Sequence, residues 1–228
     1  MKLTRVAALA LVALISAASL TACDSSPVEP GPTSPETASP ASPDPTTSST
    51  PDPSTVADVI TISGSGVGVI AINSELIVQI PFTTDGAAAA ALLSEAIGVE
   101  PVVAEFSGTG SGCDADYRTY DWSGLQFRSP GHITTPVGQL FNAIVTAQET
   151  SGGVELATVS HQHIGTVTAD FVSAVGGVAN DDGSGTTYIY FDRQNPGDSD
   201  FDAWGAFAVA SGGVVYSITS PLYFYGDC

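Results

Sequence analysis

His161 and His163 stand two residues apart in a stretch, Val154–His163, that reads as one extended strand. Residues two apart on a strand share a face, so the pair has the spacing of two metal ligands. No further ligand is indicated nearby, and an exposed pair at a strand end is the plainer assignment. Nucleophilic catalysis finds no stronger motif. Gly-Ser-Gly occurs at 64–66, 110–112 and 183–185, never as Gly-x-Ser-x-Gly between a strand and a helix. Ser160 and His161, adjacent on one strand, would point to opposite faces and could not act as nucleophile and base together. A hydrolase would have to recruit His132, His161 or His163 to a serine and an acid that meet only in three dimensions. Clustered carboxylates at Asn180-Asp181-Asp182-Gly183, at Asp198–Asp202 and at Asp114 and Asp116 offer oxygen ligands suited to calcium. The loop starting at Asp198 has no glutamate at its twelfth position, so solvated turns are expected. No metal and no cofactor is expected.

The remaining reactive residues are three cysteines. Cys113 and Cys228 form an even pair in the body of the chain. In an exported domain a disulfide is the default for such a pair. Closing a loop that long would stabilise the fold by about 4–5 kcal/mol in the chain-entropy treatment and would hold the C-terminus down. Two cysteines this far apart, without a histidine at ligand spacing, do not suggest zinc. Cys23 has a different setting. Lys2 and Arg5 precede an apolar run, Val6–Leu20, which ends in Leu20-Thr21-Ala22-Cys23. A basic head, a short apolar middle and small residues before a cut are the parts of a secretory signal peptide. The run is too short for an ordinary membrane span. Its last four residues resemble the lipobox of bacterial lipoproteins, which implies cleavage after Ala22 and acylation of Cys23.

The formal net charge is −19. Loss of residues 1–22 would leave Arg118, Arg128 and Arg193 as the only basic side chains, without a lysine, against 24 acidic residues. Nucleic acid needs a basic footprint that is missing here. Attraction to anionic headgroups is excluded on the same ground, so membrane attachment rests on the lipid at Cys23.

The elements that must position any site begin after a linker. Residues 23–56 hold nine prolines, from Pro27 to Pro53, among Ser, Thr, Asp and Glu. Such a segment cannot bury enough apolar surface to fold. As extended polyproline, at about 3.1 Å per residue, it could lift a domain up to ~100 Å from the membrane. Residues 57–228 are long enough for one domain with a core. Strands are expected at Val59–Ile62, Gly68–Ile72, Leu76–Pro81, Val102–Phe106, Tyr117–Trp122 and Leu125–Arg128. Leu140–Gln148 and Val154–Ser160, around Thr150–Gly153, read as a hairpin. Further strands are expected at Thr187–Asp192, Ala203–Ala210 and Val214–Ser220. A helix over Ala87–Ile97, capped by Thr84 or Asp85 and closed by Gly98, should bury Leu92, Leu93, Ala96 and Ile97. A shorter one opens at Thr166 or Thr168 and closes at Gly176. The fold class is α+β, mainly antiparallel sheet.

A helix followed by a Trp-containing hairpin occurs twice at nearly one period, as Gly98 and Gly176, then Trp122 and Trp204. This suggests tandem repeats over 84–160 and 166–220. Ile80-Pro-Phe-Thr-Thr84, Ile97-Gly-Val-Glu-Pro101, Tyr120-Asp-Trp122 and Ser220-Pro-Leu-Tyr-Phe-Tyr-Gly-Asp-Cys228 resemble exported actinobacterial lipoproteins of unknown function. The repeat is also similar to the tandem-repeat β-lactamase inhibitor protein fold, with one helix per copy instead of two. Neither resemblance carries catalytic residues. Tyr117, Tyr120, Trp122, Tyr188, Tyr190, Phe191, Trp204, Phe207 and Tyr216 fall on the expected strands. About half should be core, and any that share an exposed face would make a recognition surface. The expected function is a non-catalytic binding domain, lipid-anchored on the extracytoplasmic face of the cell membrane. Its partner would be an envelope protein, peptide or glycan. The alternative is a cell-surface hydrolase.

Overall fold

The computed structural model describes residues 52–108, 116–130, 138–194 and 203–223. The stretches expected to be signal peptide and most of the linker, together with Cys23, Cys113, Cys228, His132, Asp114 and residues 198–202, lie outside the described residues. Twelve strands and two helices fall within them.

The chain starts as a meander. β1 (Ala57–Ile62), β2 (Gly66–Ala71) and β3 (Leu76–Pro81) pair antiparallel. Ile60, Ile62, Val67, Val69 and Ile80 are fully buried. Asp85 then caps α1 (Gly86–Ile97), its carboxylate accepting from the Ala87 and Ala88 amides at 3.0 and 3.2 Å. Gly98 closes the helix in the left-handed region at φ 70°, where L side chains are strained. The buried stripe is Gly86, Ala89, Ala90, Leu93 and Ser94. Small residues let the helix lie close to the sheet, and a Cβ on Gly86 would collide with Ser129. Leu92 therefore does not belong to the stripe, contrary to expectation, and stays 39% exposed. A run of alanines from 87 to 91 carries no phase, and the helix turned its smallest side inward. Leu93 is fully buried, and Ala96 and Ile97 pack partly against the core as expected.

After α1 come β4 (Val102–Phe106), β5 (Tyr117–Asp121), β6 (Leu125–Ser129) and β7 (Asn142–Val145). β8 (Glu155–Thr158) follows, then α2 (Thr168–Val175), β9 (Val178–Asp181), β10 (Thr186–Gln194), β11 (Trp204–Ser211) and β12 (Val214–Tyr223). β9 has no counterpart in the expected strands. The two sheets have strand orders β3-β2-β1-β8 and β4-β5-β6-β7-β12-β11-β10-β9. The larger one is antiparallel throughout.

β7 and β8 do not form the expected hairpin. β7 joins the large sheet between β6 and β12, whereas β8 crosses to the small sheet and runs parallel to β1. Only the turn survives, with one bridge between Glu149 and Glu155. Leu156, Ala157 and Thr158 are all buried. β7 is already paired on both sides, by β6 and β12, so β8 has no free edge there and pairs with the open edge of β1 instead.

The two sheets and both helices share one core. Phe127 packs edge-on to Trp122 at 5.0 Å and against Phe141 at 4.7 Å, and Phe141 meets Phe82 at 5.0 Å. The Trp122 indole donates to the Val99 carbonyl at 3.0 Å, fixing the exit of α1 to β5. α2 sits on the far half of the large sheet through Phe171, edge-on to Phe191 at 5.4 Å. Two polar ties join the sheets. The Gly64 amide donates to Asp192 Oδ2 at 2.5 Å, and the Ser220 hydroxyl donates to the Ser63 carbonyl at 2.7 Å. Gly64 lies so close to the Asp192 carbonyl that a Cβ has no room there.

Candidate functional site: the open face of the large sheet

Side chains alternate across a strand, so the ladder registers define what each face carries. One row runs Leu125, Val145, Ile218, Ala208, Ile189 and, at the edge, Ala179. Its first five members are buried, so this face packs on the core. The opposite face carries the row Val102, Asp121, Gln126, Ile144, Thr219, Phe207, Tyr190 and Val178. None of these eight is buried, and the two end residues are exposed at 74% and 64%. At a strand spacing of about 4.8 Å the row is about 34 Å long.

Aromatic residues gather at both ends of this face. Tyr188 and Phe207 stack at 5.8 Å with their planes 19° apart, and Tyr190 tilts against Phe207 at 5.1 Å. Val209 and Ser217 continue the row beside Tyr188. At the other end Phe106 stacks on Tyr117 at 4.8 Å, and the Arg128 guanidinium lies 3.5 Å from the Tyr117 ring centroid. That contact is a cation–π interaction. The middle of the face is polar. A cleft of ≈ 240 Å³ adjoins Tyr190 and is lined by Gly176, Val178, Asn180, Phe191, Asp192 and Arg193.

Three of the nine aromatic residues are core, against about half expected. Tyr120, Trp122 and Phe191 are core; Tyr117, Tyr188, Tyr190, Trp204 and Phe207 are half-buried; Tyr216 is 49% exposed at a bulge of β12. Which of them share a face was not readable from their types. In β11 the inward residues are Ala206, Ala208 and Ala210, and the outward ones are Phe207 and Val209. The larger apolar side chains face out, which reverses the usual guess. Gln126, Ile144, Thr219 and Val178 complete the row and were not singled out in the sequence. Thr219 and Val178 stand opposite Phe207 and Tyr190 on the paired strands, whereas Gln126 and Ile144 face each other and carry no local signal.

The histidines are not arranged as expected. β8 ends at Thr158, and His161 lies in a turn at φ 56°, its amide donating to the Thr158 carbonyl. His161 and His163 are therefore not side by side on a strand face. His163 places Nδ1 3.1 Å from the Leu156 carbonyl oxygen and Nε2 3.6 Å from a Glu155 carboxylate oxygen. Among the described residues neither histidine hydrogen-bonds a serine hydroxyl, and no three His, Cys, Asp or Glu converge as a metal set. Ser160 and His161 are not adjacent strand residues either. The acidic Asn180–Gly183 stretch is half strand and half turn. Asp182 spends its carboxylate on its own loop, accepting from the Ser184 hydroxyl at 2.7 Å and amide at 2.8 Å. The Ser184 hydroxyl, then its amide, hold the Asp182 carboxyl below its ordinary range.

Arg118 is bound on the core side of the β4–β5 hairpin. It pairs with Glu105 and also meets the Tyr120 hydroxyl; the latter, then Glu105, hold it even more firmly protonated than a free arginine. Among the described residues no helix is long and apolar enough to cross a membrane. No protein-family model, curated protein or solved structure matches the chain.

Proposed function

We propose that the chain is an exported lipoprotein, acylated at Cys23, that displays a non-catalytic binding domain on its proline-rich stalk. The partner is an envelope protein, peptide or glycan laid across the open face of the large sheet. The observation that carries this reading is the Tyr188–Phe207–Tyr190 cluster on a face whose central row is nowhere buried. Aromatic side chains kept on a solvent face offer large, stiff contact area at low entropic cost, and such residues dominate binding hot spots. Polar Thr219 beside Phe207, and Gln126 and Asp121 farther along the same row, supply hydrogen bonds that orient a ligand.

We read the domain as two tandem units as well. α1 is followed by β4–β7, and α2 by β9–β12, each set running from one edge of the large sheet to its centre, where β7 meets β12. That element order supports a duplicated helix-plus-four-strand unit.

The test is capture of envelope components by the full-length protein in detergent. Phe207→Ala and Tyr190→Ala should weaken capture by about 1–2 kcal/mol or more, while joint replacement of His132, His161 and His163 leaves it intact. Turnover of an ester, peptide or glycan substrate that disappears when one His or Ser is changed would establish the hydrolase instead. Cys23→Ser should release the protein from membranes or leave its signal segment uncut; unchanged partitioning would remove the anchor from this reading.

A further inference from the structure

The large sheet ends on β4, and β4 is exposed along its length, with Val102 at 74%, Val103 at 53% and Phe106 at 45%. Proteins usually protect such an edge with lysine, proline, a bulge or a very short strand. The other edges here follow that rule. β3 ends in Pro81 and pairs with β2 through a register shift, and β8 and β9 are each four residues long, β9 ending in an aspartate. β4 has none of these devices. It pairs with β5 over five consecutive residues without a shift, and its one charge, Glu105, is engaged by Arg118. Alternate residues of an edge strand turn their amide and carbonyl groups to the free side.

Beneath this edge, on the core side, an open groove of ≈ 370 Å³ separates the β4–β5 hairpin from the N-terminus of α1. Asp85, Glu105 and Asp116 line it, against the single guanidinium of Arg118. The two sides of β4 thus differ. By alternation Val102 and Phe106 belong to the open side of the sheet and Val103 and Glu105 to the core side, where Glu105 lines the groove; Phe106 borders the groove at its rim.

We propose that β4 accepts an extended cationic peptide as an added strand. The peptide's backbone completes the edge ladder, and its apolar side chains lie against Val102 and Phe106. Alternate Lys or Arg side chains enter the acidic groove. In strand addition the main chain supplies affinity and pockets for alternate side chains supply specificity. A second copy of this chain fits poorly, because it brings the same acidic groove and a net charge of −19. The site is separate from the Tyr188–Phe207 cluster and does not depend on it.

The probe is an acetylated, amidated heptapeptide alternating valine and lysine, titrated against the full-length protein at low ionic strength. The comparison is the same sequence N-methylated on every backbone nitrogen, which keeps the charge and leaves no amide to donate on either edge. The unmodified peptide should bind and slow amide exchange across Val102–Phe106, and the methylated one should not. Glu105→Lys should weaken binding by about tenfold or more, Glu105→Gln by less, and Phe207→Ala not at all. The Glu105 side chain is 72% exposed, so these variants fold. Equal binding of the methylated peptide, unprotected β4 amides, or indifference to Glu105→Lys would overturn the proposal. So would a dimer of the free protein that Glu105→Lys dissociates.

Discussion

Replacing Leu93 and Leu92 separately by alanine tests the phase of α1, on which the packing of helix against sheet depends. The two residues are adjacent and identical, so helix propensity and chain entropy cancel in the comparison. Leu93 is fully buried among the aliphatic and aromatic residues of the common core, and Leu92 is 39% exposed. Leu92 lines an open groove with Leu76, Val78 and Ala96 instead. Leu93→Ala removes three buried carbons and leaves a cavity that the neighbouring strands cannot fill, a change that costs about 2–5 kcal/mol. Leu92→Ala gives up only part of a half-solvated side chain and should cost about 0.5–1 kcal/mol, near the range of surface changes. In a urea titration with a slope of about 2 kcal/mol per molar, a loss of about 3 kcal/mol lowers the midpoint by about 1.5 M, and a loss of about 0.5 kcal/mol by about 0.25 M. Unchanged slopes would show that the unfolded ensembles are comparable. If Leu92→Ala shifts the midpoint as far as Leu93→Ala, the helix is rotated and the small-residue stripe is not its packing face.

Three other outcomes follow from single contacts. Asp192→Ala deprives the Gly64 amide of its acceptor where the sheets are tied and should cost about 1–3 kcal/mol in the same titration; a neutral result would show that tie to be idle. The depressed Asp182 carboxyl stabilises the β9–β10 turn above its ordinary value of about 4, and that contribution fades as pH falls through the lower folded value. An NMR titration of Asp182 should find it below the ordinary range, and Ser184→Ala should return it upward; no response to Ser184→Ala would refute the assigned cause. Cys113 and Cys228 should be bonded to each other in protein exported by its native route, as peptide mapping without reductant would show, and two alkylatable thiols would contradict it.

The elements of this fold were legible in the sequence wherever the signal is local. Asp85 announces a cap because its side chain reaches amides two and three residues on, and Gly98 and Gly176 announce helix ends because both must enter the left-handed region. Leu76–Pro81 and Val102–Phe106 run as strands over the expected residues, since β-branched stretches bounded by turn residues specify extended chain directly. The acidic balance and the Cys23 context are likewise properties of the chain before it folds. Partnership was not legible. Nothing in Asn142–Val145 or Glu155–Thr158 says that one enters the large sheet and the other lies parallel to β1, because those pairings are chosen among strands up to about a hundred residues apart by which apolar faces fit. The phase of α1 was hidden by its alanines. The open face was hidden because alternation divides Tyr188 and Tyr190 from Ile189 and Phe191 without saying which pair points inward. In β11 the packed interior took the alanines and left Phe207 outside. Sequence fixes period and boundaries through the backbone of each segment, while the inward side of every element is decided only when close packing against the others selects it.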